Sequence, residues 1–124
     1  MSVAPHSAYL DYVLEQLAGV PRVTWRRMFG GVGIYSGGLF FALIANDLLY
    51  LKVGDANRAE FVSRGMGPFR PFPEKSQYSM SYYEVPADVL EDADELALWA
   101  HRSLEIARQP KPRPARRPAG IRKR

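Results

Sequence analysis

Residues 26–53 read RRMFGGVGIYSGGLFFALIANDLLYLKV, and the reading of this stretch decides the fold. It is the longest apolar region of the chain, and turn signals interrupt it at regular intervals. Ser36-Gly37-Gly38 separates Gly33-Ile34-Tyr35 from the run starting at Leu39, and Asn46-Asp47 separates that run from residues 48–53. Glycine enters the positive-φ region without steric cost, and Asn and Asp enter it more readily than most residues, so such pairs between apolar runs signal hairpins. A buried helix has the same apolar content. The run lengths, roughly 5–7 residues, fit strands instead. In residues 39–45 both parities are apolar: Leu39, Phe41 and Leu43 on one, Phe40, Ala42 and Ile44 on the other. That pattern predicts a central strand covered on both faces. Leu49, Leu51 and Val53 then share one parity, while Leu48, Tyr50 and Lys52 turn polar on the other. The stretch predicts an antiparallel meander.

Helices are expected on either side of it. Ser7 is placed to cap a helix whose stripe is Leu10, Val13, Leu14 and Leu17, with Gly19 as a left-handed stop before Pro21. Residues 23–29, rich in β-branched and aromatic side chains, read as a further strand leading into Gly30-Gly31-Val32-Gly33. Those glycines lack the Lys-Ser/Thr of a P-loop and precede a strand, so they indicate a tight turn or a close backbone approach rather than a nucleotide loop. Past Val53, Asp55 reads as the cap of a short helix that buries Phe61 and Val62 and stops at Gly65. Residues 66–74, with three prolines, read as a loop or short edge strand. Residues 78–85 alternate as a half-buried strand. One helical turn is expected near Pro86–Glu91, followed by a helix from Ala93 to Arg108 capped by Asp92. Leu96, Trp99, Ala100, Ser103, Leu104 and Ala107 form its buried face.

Together these elements predict an α+β fold of two layers, an antiparallel sheet of about five strands packed against helices. One domain is expected over residues 1–109. Residues 110–124, PKPRPARRPAGIRKR, cannot bury enough apolar surface to offset ordering entropy, and are expected to be a disordered basic Pro/Arg-rich tail.

Charge is divided along the same boundary. The tail holds Lys111, Arg113, Arg116, Arg117, Arg122, Lys123 and Arg124 and no acid, so it carries +7; the chain's net +4 leaves −3 for residues 1–109. A pI of about 9.6 therefore belongs to the tail. The seven tail cations are candidate nucleic-acid contacts. In the folded part, Arg26, Arg27, Tyr82, Tyr83 and Glu84 form a candidate functional surface. Arg26-Arg27 suits a phosphate or carboxylate contact at a sheet edge, but reads more simply as a solvated pair, or as one arginine paired with an acid such as Glu84. Tyr82-Tyr83-Glu84 places two phenols beside a carboxylate; cross-strand packing accounts for the tyrosines equally well.

With no cysteine there is no disulfide framework, thiol nucleophile or Cys-based metal site. His6 and His101 are far apart in the chain, and no metal or cofactor is expected. The start, MSVAPHSAYL, lacks the basic and apolar regions of a secretory signal, and no apolar run approaches the ~18 residues of a membrane span. A cytoplasmic protein is expected.

Arg27-Met28-Phe29-Gly30-Gly31-Val32-Gly33-Ile34-Tyr35, then Leu39-Phe40-Phe41-Ala42-Leu43-Ile44 and Leu49-Tyr50-Leu51-Lys52-Val53, resemble the N-terminal domain of the TfoX/Sxy family of DNA-transformation (competence) regulators. Asn57-Arg58-Ala59-Glu60-Phe61, Gly65…Pro68-Phe69 and Ser81-Tyr82-Tyr83-Glu84-Val85-Pro86 continue the resemblance in the family's order, from about Leu10 to Ala107. It implies a two-layer fold like that of bacterial secretion chaperones, and a role in switching on DNA-uptake genes, in some members with the cyclic-AMP receptor protein. Full-length regulators carry a second, C-terminal helical domain; a stand-alone N-terminal domain ending in a basic tail is expected here. The family motifs carry no catalytic residues over to this chain, so a non-enzymatic regulator acting through a protein partner is expected. A homodimer is expected as well, because a small two-layer domain exposes a sheet edge. Two alternatives remain open: a small ligand-binding domain or enzyme using an Arg/Tyr/Glu cleft, and a chaperone-like adaptor that holds a peptide.

Overall fold

The structure, a computed structural model, describes residues 7–28, 30–69 and 81–109. Helix α1 (Ala8–Gln16) runs into a 3-10 turn (Leu17–Gly19). Strands β1 (Val23–Met28), β2 (Gly31–Ser36), β3 (Leu39–Ala45) and β4 (Leu48–Lys52) follow as consecutive hairpins. Helix α2 (Arg58–Ser63), strand β5 (Tyr82–Glu84) and helices α3 (Ala87–Glu91) and α4 (Ala93–Arg108) complete the described chain. The sheet has the order β1-β2-β3-β4-β5, with every neighbouring pair antiparallel. This is the predicted α+β architecture, with β3 at its centre.

Both predicted hairpin turns form for the predicted reason. Gly37 and Gly38 have φ of 55° and 88°, and Asn46 and Asp47 have 52° and 58°. Positive φ at both central residues is the geometry whose twist matches that of the flanking strands. Ser7 caps α1, accepting from the Leu10 N–H at 3.2 Å, and Asp92 caps α4, accepting from the N–H groups of Asp94 and Glu95 at 3.1 Å. Gly65, at φ 78°, ends α2.

The core lies between the helices and one face of the sheet. Val32 and Ile34, Ala42 and Ile44, Leu49 and Leu51, and Tyr83 are buried at mutually paired positions on β2 to β5. Helix α4 crosses β3 and β4 and buries Leu96, Trp99, Ala100, Ser103 and Leu104. Leu10, Val13 and Leu17 of the first helix and Val89 of α3 close the cluster. The Gln16 side-chain amide donates to the Leu90 carbonyl at 2.9 Å, tying α1 to α3.

Four expectations are corrected. Strict alternation would place Phe40 with Ala42 and Ile44, but the β2–β3 register shifts between Ile34 and Tyr35. An extra residue in one strand reverses parity. Phe40 consequently stacks on Tyr35, on the outer face, while Phe41 is fully buried in the core. The outer positions Phe40 and Leu43 are only half-buried, so β3 is not fully covered on both faces. Gly19 is not left-handed. A β-carbon there would lie 3.1 Å from the Ala97 β-carbon, so it permits the close approach of the first helix to α4. Asp55 does not cap α2: Asn57 occupies that position, and Asp55 instead forms an ion pair with Arg58 at 2.8 Å. Finally, Val62 is exposed while Phe61 is buried, since successive helical residues point about 100° apart.

Asn57 is itself buried, and its side chain spans the turn after β4. Its Oδ1 accepts from the Gly54 N–H at 2.8 Å, and its Nδ2 donates to the Lys52 carbonyl at 3.2 Å. The Ser103 hydroxyl of α4 donates to the same carbonyl at 2.8 Å. Asn57→Ala removes both Asn57 bonds and is expected to cost about 1–3 kcal/mol, the penalty for stranding buried polar groups. Urea denaturation of the variant beside wild type measures it; an unchanged midpoint would show that water replaces the amide.

Candidate functional site

The candidate surface read from the sequence divides into two. Arg26 and Arg27 lie on β1, whereas Tyr82, Tyr83 and Glu84 form β5 at the other end of the strand order. Four strand spacings of ~4.8 Å put them about 19 Å apart. Glu84 pairs with Tyr50 of β4 and not with either arginine. Both arginines are exposed, and the Arg26 guanidinium lies over the Tyr35 ring at 5.6 Å from its centroid. Residues 16–46 contain no Asp or Glu, so this half of the sheet is cationic.

The two tyrosines of β5 face opposite ways, as alternation requires. Tyr83 enters the core against Phe61, with ring centroids 5.9 Å apart. Tyr82 lies on the outer face beside Phe40 at 5.3 Å, and Phe40 in turn stacks on Tyr35 at 5.2 Å. The Lys52 ammonium sits over Tyr82, 5.2 Å from its centroid. Arg26, Tyr35, Phe40, Tyr82 and Lys52 thus form one continuous row, a cation at each end of three aromatic rings. Burial, with a smaller contribution from Tyr35, holds the Tyr82 phenol well above the usual tyrosine range. It is a neutral packing group at physiological pH.

Beside β5, the segment 67–69 extends the edge: the Phe69 N–H donates to the Tyr82 carbonyl at 2.8 Å and the Glu84 N–H to the Gly67 carbonyl at 3.1 Å. Of the loop or short edge strand expected over residues 66–74, the described part, through residue 69, holds one bridge to β5, Pro68 to Tyr83, and residues 70–74 lie outside the described residues. The remainder of the predicted strand over residues 78–80 lies outside the described residues. So do the tail cations Lys111, Arg113, Arg116, Arg117, Arg122, Lys123 and Arg124.

At the end of the aromatic row a cavity of about 760 Å³ opens between the start of β3, the end of β4 and the last turn of α4. Leu39, Phe40, Val53 and Ile106 give it apolar walls, and Lys52 and Arg58 are its cations. The hydrogen bond that the Arg58 guanidinium donates to the Asp55 carboxylate keeps it firmly protonated. None of these residues stood out in the sequence as a site. The one available signal was Lys52, the polar end of an otherwise apolar parity in β4.

Arg102 of α4 and Glu60 of α2 form an ion pair at 2.5 Å, and Arg64 pairs with Asp88 across α2 and α3. These contacts bind the helical layer together over the region that the sequence motifs 57–61 and 81–86 occupy. A sequence profile, that of the TfoX N-terminal domain, matches residues 15–107, from the end of α1 to the last turn of α4. The chain belongs to the TfoX N-terminal domain family. The match covers the five strands and the helices that follow them, and of α1 only Glu15 and Gln16, so the TfoX N-terminal fold corresponds to the observed sheet and the helices after it. A search among curated proteins found no match. Among the described residues of this TfoX N-terminal domain, no helix is long and apolar enough to cross a membrane.

Proposed function

We propose that the chain is a non-enzymatic, competence-related regulatory domain that acts through a protein partner, a transcription regulator, in the cytoplasm. The observation that supports this most directly is the family match over residues 15–107, which includes all five strands. Two surfaces suit such a role: the acid-free β1–β3 half of the sheet, and the exposed apolar residues Val62 and Leu98 on α2 and α4. The partner sits on one of these, or a second copy does so in a homodimer.

The test is genetic. Deleting the gene in its native host should lower both DNA-uptake transcripts and transformation frequency, and residues 1–109 alone should restore them. Unchanged transcripts after deletion would reject the regulatory role.

The tail adds weak, sequence-indifferent nucleic-acid affinity in this reading. Each neutralised phosphate contributes a salt slope of ~0.9 on duplex DNA, so up to seven tail cations give a steep dependence. Removing residues 110–124 should abolish duplex binding and leave the melting temperature nearly unchanged. Arg26→Ala with Arg27→Ala should matter much less. Titration against random and promoter duplexes at two salt concentrations checks this; tight, promoter-selective binding by the tail-less form would make the folded domain the DNA reader.

A further inference from the structure

We infer that the outer face of the sheet is where two copies of this chain meet, face to face, about a two-fold axis along β3. The helices that build the core pack on the opposite face. On the outer face the strand registers line up Arg26, Gly33, Leu43, Tyr50 and Glu84, one from each strand. A cation begins this cross-strand row, an acid ends it, and Leu43 of the central strand is its midpoint. Four spacings of ~4.8 Å put Arg26 and Glu84 about 19 Å apart. Leu43 and Tyr50 are half-buried, and in the neighbouring rows half-buried Phe40 and exposed Leu48 add apolar surface.

Charge decides how the two copies are turned. In a two-fold dimer a residue i of one copy meets residue j of the other, and j meets i in return. Turning one sheet over about an axis along β3 lays β1 of each copy on β5 of the other. Arg26 then meets the second copy's Glu84 at both ends of the row, and Leu43 meets Leu43 on the axis. Strand β4 falls on β2, which carries no charged residue, so Lys52 meets no like charge. The other in-plane axis, across the strands, would set Arg26 against Arg26 and Glu84 against Glu84. Like charges facing across an interface repel, so the axis along β3 is the one selected. Five strands of about five residues give a footprint of roughly 24 by 17 Å. That is small beside the ~800 Å² per partner of a standard interface, so the dimer is weak and reversible. It is the homodimer of the reading above, on which it rests, now given a face. Transcript levels test the regulatory role and sedimentation tests the face, so either can fail alone.

Sedimentation equilibrium of the full chain, from micromolar to high micromolar concentration, tests it. Wild type should show a reversible monomer–dimer equilibrium. Arg26→Glu alone and Glu84→Arg alone each place like charges at both ends of the row, and should weaken the dimer about tenfold or more. Mixing these two single variants should restore dimers, because each then supplies the charge that the other lacks. Arg26→Glu combined with Glu84→Arg in one chain should dimerise like wild type. Leu43→Glu sets two carboxylates on the axis and should abolish the dimer; should it lower the melting temperature, the charge variants decide alone. A strict monomer at the highest concentration would overturn the dimer, and would leave this face to a different protein or to another part of this chain. A dimer that both single reversals leave intact would place the contact elsewhere and overturn the assignment too. So would single variants that stay monomeric when mixed.

Discussion

Trp99→Ala is expected to lower the stability of the domain by about 3–5 kcal/mol, the usual cost of emptying a large aromatic site in a core. Trp99 is 4% exposed and sits in the core between α4 and α2. Its ring meets Phe61 of α2 edge-on at 4.8 Å, and Phe61 in turn packs against Tyr83 of β5. Its indole N–H donates to Glu95 at 3.1 Å, and the Arg64 guanidinium lies 6.0 Å above the ring. Truncation would remove the bridge between α4, α2 and β5 in one step. Phe41→Ala is expected to fall in the same range, since Phe41 is fully buried beneath α4. Thermal or urea denaturation measures both. Either variant melting with wild type would show that the cavity collapses or that the residue does not bear on the core.

Gly31→Ala is expected to cost about 3 kcal/mol or more, although it adds one methyl group. A β-carbon on Gly31 would stand 2.2 Å from the Ile44 carbonyl oxygen. That oxygen is backbone in the central strand and cannot rotate away, so β2 and β3 must separate locally. Gly38→Ala provides the comparison. Gly38 has a φ of 88° but nothing within 4 Å of its would-be β-carbon, so only backbone strain of about 1 kcal/mol is expected. Denaturation curves of the pair separate steric from conformational demand. Equal losses in the two variants would refute the close-approach account of Gly31.

The acid-free strands β1–β3 present Arg26 and Arg27 at one edge, while the cavity lies towards β4 and the end of α4. The row Arg26–Tyr35–Phe40–Tyr82–Lys52 runs between them.

The sequence alone determined those features whose causes lie within a few residues. Asn46-Asp47 and Gly37-Gly38 demanded positive φ, so the hairpins and the antiparallel order of β2, β3 and β4 followed from the chain's own turns. Ser7 and Asp92 marked the helix starts because capping is a bond to an N–H two or three residues on. The apolar stripes of α1 and α4 followed from helical period, and the charge of the tail from composition. Tertiary structure decided whatever depends on partners far along the chain. The register shift at Ile34/Tyr35 exchanged the roles of Phe40 and Phe41, because parity is meaningful only relative to the neighbouring strand. Gly19 looked like a helix stop, yet its small size is required by Ala97, more than seventy residues away. Arg26 and Arg27 are separated from Tyr82, Tyr83 and Glu84 by the width of the sheet, because strand order and not sequence motif sets which residues meet. Beyond Lys52 and Tyr82 the cavity has no local signature: Leu39, Lys52, Arg58, Tyr82 and Ile106 come from five elements or their ends, and only their packing brings them to one place.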